Sequence, residues 1–532
     1  MLRVERATEG DVEAVRDLFL TIYGQDYPHR NFLDGDWLKR AVYNKDVVML
    51  VARLDGRVVG TASVIFDVGA YSDLNCEFGR LCVHPDARGK GAGRALMQAR
   101  LEAAKNRVHV GLVENRCVHP YSQMISQRHG FSPVGFLPMK FRFSHRESIA
   151  LFARHFGAAQ ELRFNHPRLV AEAHNIAHMA LENCGFPKDP VVDEESPPYP
   201  QDDDFVASDL VAEGLPALIR IQRGRVRDRE VFGPMRLQYG FFQLEARQAN
   251  YILAHRPGAS GAGALCGAIG YITSREDLSV RVFELIAKTG ESTRFLLNQL
   301  LEHCRAQGIE HIEIDVSANA PRLQRTLLEF DFIPAAYVPS GVFHEVERTD
   351  VLKMVRLLVP LDLGEVHLLP PVQAFADEVL RAHRSLVIQP EIAEVLGDLR
   401  LFQRLNEEQA ARLAGLFRVA EFHSGQELFA RDAEADEMFV LLSGDVLVLR
   451  DNPVGRVTRG ECLGENAMLT AKPHSASAEA LGDVRAAVVK RSDLRALNRR
   501  RPDIGMTIYR NLALGLGEKL LRVDEALDLD YF

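Results

Sequence analysis

The stretch CEFGRLCVHPDARGKGAGRALMQARLEAA, residues 76–104, constrains the fold more than any other part of the 532-residue chain. Its apolar start, Cys76–Val83, reads as a buried strand. Pro85 and Asp86 set a turn, and Arg88-Gly89-Lys90-Gly91-Ala92-Gly93 leads into a helix over Gly93–Asn106. Glycines let a ligand approach the backbone closely. Free amides at a helix start, aided by the helix dipole, favour a diphosphate, and Arg88 and Lys90 add positive charge. The spacing is neither the Walker pattern nor a full dinucleotide fingerprint.

Around this stretch the chain reads as an α/β (or α+β) multidomain protein. Residues 1–145 begin with a helix, Asp11–Tyr23, whose Val12, Val15, Leu18, Phe19 and Ile22 fall at helical spacing. Val47–Arg53 and Val58–Phe66 flank the hairpin signal Leu54–Arg57, and Val108–Val113 reads as a further strand. Residues 146–186 read as helical. FPKDPVVDEESPPYPQDDDF (186–205) is rich in proline and acid and poor in aliphatics, so it reads as a linker that cannot offset its own ordering entropy. Residues 206–360 repeat the strand, loop, helix, strand, helix order: Ala264–Ile272 and Val280–Ile286, Thr293–Gln307, His311–Ser317, Ala320–Phe330. RFLLNQLLEHCR (294–305) matches RALMQARLEAAK (94–105). The loop before that second helix keeps one glycine and carries Glu291, which would repel a diphosphate. Residues 361–400 read as a helical connector broken by Pro370 and Pro371. In 401–532, short strands (Glu427–Ala430, Met438–Leu442, Val446–Leu449, Arg485–Val489) bounded by glycines suggest a small β-barrel or jelly roll, closed by a helix from Pro502 to Leu527.

Charge narrows the partners. Lys and Arg number 64 and Asp and Glu 73, a net −9, and seven of the acids lie between Asp189 and Asp204. No electrostatic drive toward nucleic acid is visible. The seven cysteines form no Cys-x-x-Cys pair, so no metal site and no disulfide framework are expected. The charged start, MLRVERATEGDVEAV, has no signal core, and no run of about 18 apolar residues exists to span a bilayer. A cytoplasmic location without membrane partners is the expectation.

Arg88-x-x-Gly91-x-Gly93, after a strand ending Leu81-x-Val83-x-Pro85, resembles the acyl-CoA-binding motif of the GNAT superfamily of N-acetyltransferases. The opening Arg3–Asp11 with its helix, the Leu54–Arg57 hairpin and the ending Arg128-His129-Gly130-Phe131 extend the resemblance over roughly residues 1–143. It implies acetyl-CoA held by Leu81, Cys82, Val83, Arg88, Gly89, Lys90, Gly91, Ala92, Gly93, Arg94 and Asn115. It also implies direct attack of an amine on the thioester, with Glu77 as general base. Flanked by Cys76 and Phe78, Glu77 is expected in apolar surroundings; the other reading is an outward carboxylate paired with Arg80. The family often has a tyrosine four residues before the Gly-Phe pair, to protonate the thiolate; here that residue is Ser126, and Tyr121, in another register, is the substitute. Residues 206–360 resemble a second GNAT-like domain with a decayed cofactor loop; the alternative is a second working site with unusual phosphate chemistry, in which Glu284 would mimic Glu77.

GECLGENAMLTAKPHSASA (460–478) resembles the phosphate-binding cassette of cyclic-nucleotide-binding domains. The resemblance implies a cyclic nucleotide, cAMP or cGMP, held by Gly464, Glu465, Asn466 and Ala467, with Glu465 on the ribose 2′-hydroxyl. His474 follows Pro473 where binding members carry an arginine, and Ser475 and Ser477 offer hydroxyl donors. The fusion resembles bacterial protein-lysine acetyltransferases controlled by cyclic AMP, with a different domain order. An amine acceptor, a protein lysine first, is therefore expected. The alternatives are a small amine or amino acid, or a non-catalytic CoA- and nucleotide-sensing scaffold. The terminal stripe Ile504, Ile508, Leu512, Leu516, Leu520 serves the chain's own barrel, a homodimer or a mobile lid that reports ligand.

Overall fold

Apolar, β-branched runs at Val47–Leu54 (β2) and Arg57–Ile65 (β3) close a hairpin over Asp55-Gly56, both residues at positive φ, 49° and 84°. Leu2–Arg6 (β1) pairs antiparallel with β2, and Asn75–Val83 (β4) with β3. The computed structural model describes all residues except 67–72, 203, 211–228, 234–248, 259–260, 385–398, 435, 471 and 530–532. The described chain divides into two units, Met1–Val379 and Leu380–Phe532.

In the first unit, Val12–Tyr23 (α1) and Gly35–Tyr43 (α2) bury Val15, Phe19 and Leu38 with Met49, Val51 and Cys82 of the sheet. Ala92–Ala104 (α3) follows the glycine loop, Val110–Arg116 (β5) lies beside β4, and Tyr121–Arg128 (α4) precedes Ser132–Arg142 (β6). Strands β4 and β5 pair in parallel only at Asn75–Val110, Cys76–Gly111 and Glu77–Leu112, and then part. A bulge marks the parting. Gly79 pairs with Ser63 and Cys82 with Thr61, so Arg80 and Leu81 oppose the single residue Ala62, and Arg80 takes φ 59°.

Residues 146–186 differ from the helical expectation. Arg146–His155 is a strand (β7) between β5 and β6, and only Ala171–Cys184 (α5) is helical. Nearly all of β7 is buried on both faces, which erases the alternation that identifies a strand.

The remainder of the unit repeats this topology. Its elements are Val206–Asp209 (β8), Ala249–Gly258 (β9), Gly261–Ser274 (β10), Ser279–Ala287 (β11), Thr293–Ala306 (α6), His311–Ser317 (β12), Pro321–Glu329 (α7), Ile333–His344 (β13) and Glu347–Leu357 (β14). One sheet carries both halves in the order β1-β2-β3-β4-β5-β7-β6-β13-β14-β12-β11-β10-β9-β8, which reads alike from either end. The halves meet where Gly135 pairs with Ala336; a Cβ on Gly135 would lie 2.0 Å from that of Ala336, so only glycine fits.

Two buried arginines clasp the halves reciprocally. Arg146 at the start of β7 donates to the Leu278 carbonyl (3.1 Å), the Asp277 carbonyl and Glu310 (2.6 Å). Arg348 in β14 donates to the Asp73 carbonyl (3.0 Å) and Asn75 (3.2 Å).

The acidic segment 186–205 is an ordered strap rather than a loose linker. Asp189 pairs with Arg163 (2.9 Å), Arg325 donates to the Asp193 carbonyl (2.7 Å), and Arg256 meets Asp202 (2.8 Å) and Asp204 (3.4 Å). Ion pairs and arginine–carbonyl bonds, with Phe186 and Phe205 buried at the two ends, supply the order. Pro370 and Pro371 begin the helix Pro370–Arg384 (α8) instead of breaking one, because proline suits a first helical turn.

In the second unit, Glu407–Ala414 (α9) precedes Arg418–Phe422 (β15), Glu427–Phe429 (β16), Glu437–Ser443 (β17), Val446–Leu449 (β18), Pro453–Val457 (β19) and Cys462–Leu463 (β20). Glu465–Thr470 (α10), Ser477–Ala480 (β21), Val484–Lys490 (β22), Arg491–Arg500 (α11) and Pro502–Leu529 (α12) follow. Two four-stranded sheets, β15-β22-β17-β20 and β16-β21-β18-β19, enclose Phe439, Leu441, Val446 and Ala478. Ile504, Ile508 and Leu512 of α12 pack on Met438, Val440 and Leu494 of the same unit. Among the described residues no helix is long and apolar enough to cross a membrane.

Candidate active site and effector site

The parted strands open a cleft of about 130 Å³. One wall is Phe78, Gly79, Met97, Arg100, Val113, Asn115, Ser122 and Ser126; the other is Tyr23, Tyr27, His29, Phe141 and Phe143. Glu77, Arg80, Leu81 and Glu114 stand between them. Among the described residues, five buried polar atoms along this lining have no protein partner: Arg80 Nε, Arg100 Nε, Asn115 Nδ2, His119 Nδ1 and Ser122 Oγ. Buried donors are normally satisfied, so such a cluster marks a place where a ligand supplies the partners.

Glu77 does not sit in apolar surroundings; its carboxylate accepts from Arg80 at 2.5 Å and folds back over Gly79. Burial opposes the Arg80 charge, but Glu77 outweighs it and raises its pKa. Lys140 bridges Glu114 (2.5 Å) and Glu313 of β12 (2.9 Å); burial alone would lower its pKa, and the two carboxylates raise it. Burial pushes His29 well below the usual imidazole value, with Arg80 and Lys140 adding to the effect, so it is neutral at pH 7.

The loop expected to hold a diphosphate is open. Gly89 and Gly91 take φ 76° and 83°, and among the described residues nothing lies within 4 Å of a Cβ on either. Gly91 is the N-cap of α3, whose first amides have no side-chain cap. Arg88, Lys90 and Arg94 are exposed, Ala92 is buried, and Gly93 faces Ile125. Val83 packs toward Gly60 and Gly93, while Cys82 turns into the core under α1. Ser126 donates to Asn115 Oδ1 at 3.1 Å, inside the cleft. Tyr121 is outside it, 68% exposed against His119, and cannot take the place of the family's tyrosine as it stands.

The repeat supplies an internal comparison. The Leu74 and Leu278 carbonyls, both residues at positive φ, each accept from the two amides that open the neighbouring region, so Glu77 corresponds to Arg281 and Asn115 to Val316. Glu284 is therefore not the counterpart of Glu77; it accepts from the Tyr251 hydroxyl at 2.7 Å. Phe131 and Phe332 amides donate to Ser126 and Leu327, which equates those two and places Leu323 opposite Ser122. Asn115, Ser122 and Ser126 of the first cleft thus correspond to the aliphatic Val316, Leu323 and Leu327 of the second half. The second glycine loop is also covered: a Cβ on Gly290 would lie 2.5 Å from the Tyr199 ring of the strap, and Glu291 pairs with Arg256 (2.9 Å).

Sequence reasoning missed Arg100 and the aromatic wall. Arg100 was detectable as a charge on the buried stripe Leu96, Met97, Leu101, Ala104 of α3. The aromatic wall joins α1 to the β6–β7 turn and had no local signature.

In the second unit, Gly464 takes φ 78° and Asn466 is exposed at the start of α10. Nothing is described of the Ala467 side chain. Glu465 does not stand free for a ribose; it accepts from Lys519 of α12. His474 is 6% exposed and stacks on Phe429 with centroids 3.8 Å apart. Burial lowers its pKa, so it lacks the fixed charge of an arginine. Ser475 is exposed, and Ser477 is half-buried in β21.

The acetyltransferase (GNAT) family model matches residues 12–125, and the cyclic nucleotide-binding domain model matches residues 419–501. A cAMP-dependent protein kinase regulatory subunit of Mycosarcoma maydis is 30% identical over 106 residues, 18% of this chain and 20% of that protein. A CRP-like cAMP-activated global transcriptional regulator of Mycobacterium tuberculosis is 28% identical over 126 residues, 23% of this chain and 56% of that protein. The chain thus spans a fifth of one relative and just over half of the other. A ribosomal-protein-alanine N-acetyltransferase of Brucella melitensis is 22% identical, covering 29% of this chain and 99% of its own, with a TM-score of 0.25. The matched segments coincide with the cleft and with the two small sheets, and so this chain carries an N-terminal acetyltransferase domain of the GNAT family and a C-terminal cyclic nucleotide-binding domain.

Proposed function

We propose that the first half transfers an acetyl group from acetyl-CoA to a primary amine, with a protein lysine as acceptor, and that a cyclic nucleotide at the C-terminal domain sets the rate. The cluster of unpartnered polar atoms where β4 and β5 part carries this reading. Amides at the start of α3, with Arg88 and Lys90, hold the diphosphate. Asn115 Nδ2 is free to meet a carbonyl of the CoA arm. A lysine stem enters along Tyr23, Tyr27 and Phe141.

The amine nitrogen bonds to the thioester carbon, the C–S bond breaks, and the ammonium proton passes to Glu77. Arg80 holds that carboxylate in place beforehand. Ser126 orients Asn115, and the thiolate takes its proton from water in the open cleft. The second half, with Arg281 and aliphatic residues in the corresponding places, performs no transfer and supports the acceptor side through Glu313. At the C-terminal domain, a ribose hydroxyl competes with Lys519 for Glu465.

Thiol release from acetyl-CoA, measured over lysine peptides and free amines, tests the transfer. Glu77→Gln is expected to lower kcat/KM about 10²-fold or more while leaving acetyl-CoA affinity unchanged. An unchanged rate would remove Glu77 from the chemistry. Calorimetric titration with cAMP and cGMP, with and without acetyl-CoA, tests the regulation; reciprocal shifts in affinity are expected, and no heat from either nucleotide rejects it.

A further inference from the structure

Arg100 is the deepest charge in the cleft, 1% exposed. Its guanidinium lies at the β4 bulge, donating to the Gly79 carbonyl and to the Met97 sulfur, each at 3.2 Å. Among the described residues Nε has no hydrogen-bond partner, and no carboxylate forms an ion pair with this side chain. Burial pulls its pKa down to about 9, against the opposing pull of Cys76 and Glu77, and the guanidinium lies 5.7 Å from the Phe78 ring centroid. A lone buried cation is costly and is retained where a ligand completes it.

The second half shows what the position needs for folding alone. Gly60 faces Leu96 and Gly267 faces Leu296 at matching distances, 3.2 and 3.1 Å, so position 100 corresponds to 300. There the chain carries Leu300, fully buried. The fold thus accepts leucine on that helix face, and the arginine occurs only beside the open cleft. Arg100 shares α3 with the diphosphate loop and lines the cleft with Met97 of the same helix and with Phe78 and Val113 of the parted strands. That places it on the donor side.

We propose that Arg100 is a carboxylate-binding subsite for the acyl donor, selecting a CoA thioester whose acyl chain ends in a carboxylate, as a succinyl group does. The proposal rests on the acyl-transfer reading above and moves its donor from acetyl-CoA to a CoA thioester with a carboxylate-ended chain. A terminal carboxylate receives a charge-assisted bond from the Nε–H and compensates the buried guanidinium, whereas a neutral chain of equal length leaves Nε without an acceptor. The transfer itself is unaltered: the amine–carbon bond forms, the C–S bond breaks, and the distal carboxylate stays ionised.

The test is calorimetric titration of the full chain with succinyl-CoA, butyryl-CoA and acetyl-CoA. Succinyl-CoA should bind about tenfold or more tightly than butyryl-CoA, which matches its chain length. Arg100→Leu, the residue of the equivalent helix, should erase that preference, keep butyryl-CoA affinity, and leave the melting temperature equal or higher. Equal affinities in the unaltered chain, or a preference that survives Arg100→Leu, overturn the subsite while leaving the transferase reading intact. Failure of all three thioesters to bind overturns both.

Discussion

His155 shows how a single side chain ties pH to the fold. It ends β7, bonds the Pro339 carbonyl of the other half at 2.8 Å and packs edge-on against Phe186. Burial lowers its pKa to about 4, outweighing that bond, with Arg348 pushing the same way. Above pH 6.5 the imidazole is neutral in the folded and unfolded chain alike and has no effect on pH dependence. Below 6.5 the unfolded chain binds a proton that the folded chain refuses until about pH 4, so stability falls as pH drops through that window. Between pH 7 and 5 this one group is expected to cost about 2 kcal/mol. Urea unfolding at the two pH values measures it, and His155→Gln should flatten the difference by that amount; an unchanged difference would show that the imidazole titrates normally. The same burial argument separates Glu77 from Arg281. One helps line an open cleft, and the other is locked against Asp315 (3.1 Å).

Among the elements, the strap 186–205 has the largest functional consequence. It runs between α6 and α7: Arg294 of α6 donates to the Tyr199 carbonyl (2.5 Å), and Thr326 of α7 accepts from its amide (2.9 Å). The first half keeps the corresponding groove, between α3 and α4, open to its glycine loop. Residues of the strap thus fill the place where a second CoA would lie. We expect acetyl-CoA titration to saturate at about one equivalent per chain. Two equivalents of similar affinity would mean that the strap leaves the second groove. Local sequence hid this ordering, because the arginines that hold the strap lie elsewhere in the chain, on the segment after β7, on β9 and on α7.

At the scale of the molecule, the reciprocal arginines make the first unit one cooperative body. Arg348 is fully buried and also donates to the Ser340 (2.7 Å) and Gly341 (3.2 Å) carbonyls. Arg348→Met would strip those carbonyls and that of Asp73 of a donor, at a cost of about 3 kcal/mol or more. Chemical unfolding should show that loss, with both halves melting in one transition. A loss below about 1 kcal/mol would mean that water replaces the guanidinium. The nearly palindromic strand order explains the symmetry of the clasp, since each half lends its last hairpin to the start of the other's central strand.

Local residue order determined the glycine loop and its helix, the Asp55-Gly56 hairpin, the duplicated α3 and α6 patterns and the short-strand character of the C-terminal unit. These are set by neighbours within a few residues, through turn geometry, helical period and backbone freedom. Tertiary structure alone decided that β7 is a strand, that the acidic strap is ordered, that Lys519 reaches Glu465, and that no carboxylate among the described residues forms an ion pair with Arg100 beside the cleft. Each of those outcomes depends on which groups arrive from distant parts of the chain and on how much water they displace, and no spacing along the sequence encodes that.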